Sequence, residues 1–190
     1  MKIVCADDYG MSNEINTAIE HLLELQVVDA TSVMINGKYE SKKLNMLDEK
    51  YLVGLHIDLN YFTSLWTKNI VTIGLWQKYN RVFRNIVKED AIKQINKYKL
   101  IFGHYPPFID GHQHCQMFQG VIDAINETID YQKDIFVRNS IESWHWKSLI
   151  LKMLSGDIRN NLLKNKSIKM LTLDGFYGFR KIELFKDMFE

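Results

Sequence analysis

The chain has 190 residues and a mass of 22.4 kDa, enough for one domain with a sizeable core. Its 46% apolar and 25% charged residues exclude a disordered chain, and a formal charge of +1 excludes bulk attraction to nucleic acid or to an anionic membrane. No apolar run approaches the roughly 18 residues of a membrane helix. Acidic residues, Asp7 and Asp8, follow the first short apolar stretch, so no signal peptide is expected. Cys5 and Cys115 lack the spacing of a disulfide or CxxC framework and read as small buried residues. A cytoplasmic location is the expectation that follows.

The periodicity then switches repeatedly between strand and helix. A strand is expected over Lys2–Ala6. A helix follows over Asn13–Leu25, with Ile15, Ala18, Ile19, Leu22 and Leu23 on one face, Ser12 as N-cap and Glu14 in its first turn. Strands are expected at Thr31–Ile35 and Tyr51–Leu59. Residues 61–87 break the rhythm and read as a long excursion rich in rings: Tyr61, Phe62, Trp66, Trp76, Tyr79 and Phe83. These rings either wall a substrate site or fill core and interface. A second helix, Glu89–Phe102, ends at Gly103 with Pro106 beyond as a stop. Then come a strand at Phe108–Gly111, a helix at Gln119–Ile129, a strand at Ile135–Asn139, a helix at Trp146–Leu154 and a strand at Ile168–Leu173. Such alternation predicts a single α/β domain over residues 1–190, built on a parallel sheet. Six βα units are enough for a doubly wound sheet and fall short of an eight-unit barrel.

Three of these strands end in metal-type ligands: Asp7-Asp8, His56-Ile57-Asp58 and Asp110-Gly111-His112-Gln113-His114. Sites in parallel α/β folds form at the carboxyl ends of strands, so these clusters are expected to meet. Alternation puts His56, Asp58 and Asn60 on one side of the third strand, and His112 and His114 on one side of the fourth. Two imidazoles and a carboxylate make a three-ligand site that leaves room for water. A neighbouring second carboxylate suits a general base. The same ligand count also fits a non-haem iron oxygenase, against which the Asp-Asp pair and the βα alternation weigh. His21, His104 and His145 have no such company and read as structural or surface residues.

These motifs carry a resemblance. Ala6-Asp7-Asp8-Tyr9-Gly10-Met11-Ser12, Gly54-Leu55-His56-Ile57-Asp58-Leu59-Asn60 and Asp110-Gly111-His112-Gln113-His114 resemble the signatures of the YdjC-like carbohydrate deacetylases, which include chitooligosaccharide deacetylases. Thr31-Ser32, Asn36-Gly37, Arg138 and Asp174-Gly175-Phe176 are smaller matches. The resemblance implies a distorted TIM-like (β/α) barrel and a metal-dependent hydrolase that removes N-acetyl groups from amino sugars. It implies Asp8, His56 and His112 as ligands to one divalent ion, of magnesium or zinc type, and Asp7 as general base. It places His114 near the ion, and Arg138 and Asp174 as partners of the site or of the substrate. Gln116 stands where the family often has another histidine. The family's later histidine-proline-glycine motif has no counterpart before Glu190, so an incomplete barrel is expected, and with it the alternative of a member that binds metal or sugar without turnover. An N-acetylated sugar or oligosaccharide is the expected partner, a homodimer is a further expectation, and neither nucleic acid nor membrane is expected to bind.

Overall fold

A computed structural model describes residues 3–59, 70–129, 135–139 and 168–172. It is an α/β protein. Its elements in order are β1 (Cys5–Tyr9), α1 (Asn13–Glu24), β2 (Ala30–Val33), α2 (Ser41–Lys50), β3 (Leu52–Ile57), α3 (Ile70–Tyr79), α4 (Arg81–Phe102), β4 (Phe108–Gly111), a 3-10 turn (His112–Met117), α5 (Gln119–Thr128), β5 (Ile135–Asn139) and β6 (Ile168–Thr172). The six strands pair in parallel, each beside the next in sequence, from β1 to β6. A doubly wound sheet reverses direction near its middle, whereas sequential order is the order of a (β/α) barrel wall.

The inner strands of the sheet are covered on both faces, as parallel strands require. Every residue of β2 and β4 is buried. Ile57, Leu55, Ile109 and Val137 pack with Leu23, Leu44, Ala91, Ile95 and Val121 in one core. Tyr98 of α4 is fully buried, and its hydroxyl donates to Val53 O at 2.9 Å, which fixes that helix against β3.

Three expectations change. First, β1 starts three residues later than the apolar run Lys2–Ala6 suggested, so Asp7 and Asp8 lie inside the strand. Second, the excursion over 61–87 is helical where it is described. Residues 70–79 form α3, and α4 begins at Arg81 rather than Glu89. Asn80 caps α4 by accepting the Phe83 N–H at 3.1 Å, a local signal that lies outside the apolar stripe of Glu89–Phe102. Third, β4 stops at Gly111, so His112 and His114 sit in the 3-10 turn and not on one side of a strand. Gln113 and His114 both have positive φ there, 51° and 65°, and alternation no longer applies. The expected helix at residues 146–154 lies outside the described residues, as do Asn60, Tyr61, Phe62, Trp66, His145 and Asp174.

Candidate metal centre

The site begins with an irregularity in β1. Ala6 pairs with Thr31 and Tyr9 with Val33, so three steps on β1 match two on β2. That extra residue is a β-bulge, and Asp8 within it has φ 71°. In a regular strand Asp7 and Asp8 would face opposite sides of the sheet. The bulge breaks that alternation, and both carboxylates reach the same cluster of partners.

Asp8 Oδ1 lies 3.0 Å from His56 Nε2 and accepts from His112 Nδ1 at 2.9 Å. One ligand atom from each of these residues lies within 4.8 Å of those of the other two. The two imidazoles meet edge to face, with centroids 6.0 Å apart. On its other side, His56 Nδ1 donates to Asp110 Oδ1 at 2.6 Å, and Ser32 Oγ lies 3.1 Å from the same nitrogen. His56 and Asp110 are cross-strand register partners on β3 and β4, which explains the short distance. Asp110 is fully buried and also faces Arg138 Nη1 at 3.0 Å. Arg138, from β5, donates through Nη1 to Asp7 Oδ2 at 2.5 Å. Asp7, Ser32, His56, Asp110 and Arg138 are thus one network drawn from five strands.

The charges follow from this packing. Burial works against a charged Asp8, but the hydrogen bond from His112 and the close approach of His56 hold its carboxyl well below the usual range. Burial likewise opposes charge on His56, yet Asp110 and Asp8 overcome it and push the pKa up to about 10. Asp7 moves the other way: burial and the nearby Asp110 raise it, against the pull of Arg138. Burial raises Asp110 as well, and His56 and Arg138 together bring it below the ordinary value.

The residues fit a divalent ion. His56 Nε2 is buried and has no hydrogen-bond partner, since its approach to Asp8 is not aligned for one. An orphaned ring nitrogen facing a carboxylate and a second imidazole is what an ion would satisfy. Asp110 holds the Nδ1 proton, so Nε2 is the nitrogen that would face an ion, whose binding would displace the Nε2 proton.

The other expected residues fall around this centre. His114 is half-buried, and burial lowers its pKa, but it is not among the three converging ligands. Asp58 turns its backbone to Gln94 of α4, which accepts from the Asp58 N–H at 3.1 Å and donates to its carbonyl at 2.8 Å. Gln116 is buried and donates to the Arg138 carbonyl at 3.1 Å, holding β5 rather than facing an ion. Cys115 is fully buried, whereas Cys5 is only partly covered and its thiol donates to Asp7 Oδ1 at 3.6 Å. Of the expected ring wall, Trp76 packs edge to face on Phe83 at 5.7 Å and Tyr79 is 79% exposed. His104, expected to be structural or at the surface, pairs with Asp48 at 2.9 Å and takes no part in this centre. Asp110 and Ser32 both stand in the motifs quoted above, but their pairing with His56 depends on cross-strand register.

A family model described as YdjC-like protein matches residues 2–189. The chain belongs to the YdjC-like family. It is 31% identical to a carbohydrate deacetylase of Clostridium beijerinckii over 134 residues, covering 66% of this chain and 54% of that one. It is 26% identical to a chitooligosaccharide deacetylase of Yersinia enterocolitica over 200 residues, covering 96% and 79%. The chain therefore spans about half the length of the Clostridium relative. A crystal structure from Enterococcus faecalis V583, described as a candidate cellobiose-phosphate cleavage protein, shares the fold. Its TM-score is 0.55 at 15% identity, covering 98% of this chain and 74% of that one. No helix among the described residues is long and apolar enough to cross a membrane.

Proposed function

We propose that this YdjC-like protein is a metal-dependent hydrolase that removes N-acetyl groups from amino sugars such as chito-oligosaccharides. The observation that carries this is the convergence of Asp8, His56 and His112 around an orphaned His56 Nε2, with a second carboxylate, Asp7, one residue away. The names of the relatives supply the substrate class.

Asp8, His56 and His112 hold the ion. Two nitrogen donors beside one oxygen donor suit zinc, cobalt, nickel or iron better than magnesium, which prefers oxygen. When bound, a divalent ion supplies an acidified water and polarises the acetamide carbonyl. Asp7 takes the water proton as the new C–O bond forms. Burial and Asp110 make Asp7 more basic than a surface aspartate, and Arg138 holds it in place. The amide C–N bond then breaks, solvent water supplies a proton to the leaving nitrogen, Asp7 returns its own to solvent, and acetate and a free amino sugar are released. Asp110 keeps the His56 ring oriented.

The test is divalent-metal content and acetate release from N-acetylated chito-oligosaccharides for wild type, His56→Ala and His112→Ala. Near-stoichiometric metal and acetate release in the wild type, both lost in folded variants, are expected. Metal without acetate leaves a binding protein in place of an enzyme. A wild type that takes up no ion after reloading removes the metal centre and the mechanism together.

A further inference from the structure

Carboxamide side chains hold several of the strand exits around the centre. Gln94 grips the backbone of Asp58 beyond β3, and Gln116 grips Arg138 on β5. The most consequential is Asn16, in the first turn of α1. It is buried, and both of its polar atoms are used at short range. Its Oδ1 accepts the Gly10 N–H at 2.6 Å, and its Nδ2 donates to the Lys38 carbonyl at 2.6 Å. Gly10 follows β1 and Lys38 follows β2, so one side chain joins the two exits.

The joined segments touch directly. The Lys38 N–H donates to Gly10 O at 2.6 Å, and the Met34 N–H to Tyr9 O at 2.8 Å. Gly10 has φ 97°, which glycine alone adopts without strain, and a Cβ there would lie 2.9 Å from Met34 O. A Cβ on Gly37 would collide with the Gly10 carbonyl. Two residues before Gly10 stands Asp8, also at positive φ, its carbonyl accepting from the Met11 N–H at 3.0 Å. A left-handed aspartate is strained and persists only where its surroundings dictate it.

We infer that Asn16 is a positioning residue that locks Asp8 in its left-handed conformation, by clamping Gly10 and Lys38, and so sets the carboxylate for the ion. The metal half of this inference rests on the proposed function, and the backbone half does not.

Two measurements separate them. The first is amide hydrogen exchange of the metal-free protein, comparing wild type with Asn16→Ala. Faster exchange at the Met11 and Lys38 amides, with α4 and α5 unchanged, is expected. The second is Zn²⁺ titration by calorimetry. Loss of a group that orients a ligand typically weakens metal affinity ~10- to 100-fold, and that range is expected for Asn16→Ala. Asn16→Asp keeps the acceptor for Gly10 and loses the donor to Lys38, so its affinity should fall between. Leu23→Ala, a core change on the same helix, controls for stability and should bind Zn²⁺ like the wild type at a temperature where it stays folded. Unchanged exchange in Asn16→Ala overturns the inference, as does a Zn²⁺ loss matched by Leu23→Ala. If the wild type binds no Zn²⁺ while the two amides still lose protection in the variant, the clamp stands and the metal reading falls.

Discussion

Asp110→Asn removes one charge from the centre and keeps the side-chain shape. In the wild type Asp110 Oδ1 sits 2.6 Å from His56 Nδ1, and both groups are almost wholly buried. Opposite charges whose centres are about 4 Å apart attract by about 4 kcal/mol at an effective dielectric of about 20. At 1.36 kcal/mol for each pKa unit, that is worth about 3 pH units of proton affinity. The value of about 10 for His56 stands above its ordinary 6.5 by a similar amount, with burial pulling down and Asp110 and Asp8 pulling up. The substitution should therefore bring His56 down by about 2–3, into the ordinary histidine range. The sign of the stability effect follows. A folded-state pKa above the unfolded one stabilises fully below pH 6.5, and that contribution is lost as pH rises through about 10. Metal-free wild type should lose stability across that interval, and Asp110→Asn should lose far less while starting lower. The assay is the His56 ring-proton resonance against pH in chelator-treated protein, with melting temperatures at pH 6.5, 8 and 9.5 alongside. A His56 that still titrates near 10 in the variant would refute the assignment of its charge to Asp110.

Two further predictions concern the base and the packing. Asp7→Asn should retain the ion and lower kcat by ~10²- to 10⁴-fold, as loss of a general base does, measured by acetate release with parallel metal analysis. In the wild type the acid limb of the rate profile should lie above pH 3.8, because burial and Asp110 raise Asp7 and it works only when ionised. Gly54→Ala would drive a methyl group into the Phe108 ring on the adjacent strand. It should destabilise by ~1–3 kcal/mol in thermal unfolding, and Phe108→Leu in the same chain should recover part of that loss. An unchanged melting temperature for Gly54→Ala alone would mean that the ring moves aside freely.

Much of the molecule was legible because its signals are local. Phe108–Gly111 and Ile135–Asn139 are strands at the boundaries expected of them, and the former is bracketed by Pro107 and the 3-10 turn. Asn13–Glu24 matches its amphipathic stripe and its Ser12 cap, whose hydroxyl accepts from Ile15 N. What escaped was non-local. Helix α3 carries Val71, Ile73, Leu75 and Trp76 around much of its circumference and so lacks the one-sided pattern that marks a surface helix. The first strand was placed too early because its carboxyl half is acidic, and network contacts rather than propensity keep Asp7 and Asp8 in the sheet. His112 left its strand because the chain turns through positive φ just beyond it, at Gln113 and His114. The pairing of His56 with Asp110 spans 54 positions in sequence and appears only once the register of β3 on β4 is known.

The bulge in β1 also has a mechanical consequence. On a regular strand, two side chains that serve one site stand at least two residues apart, with a flexible residue between them. Here the group assigned to the ion and the group assigned to the water are successive residues that share one rigid peptide plane. Asp7 is in turn bonded to Arg138, so this pair of residues ties the first strand to β5. Removing one residue from this stretch would restore the ordinary pleat and turn the two carboxylates to opposite faces of the sheet.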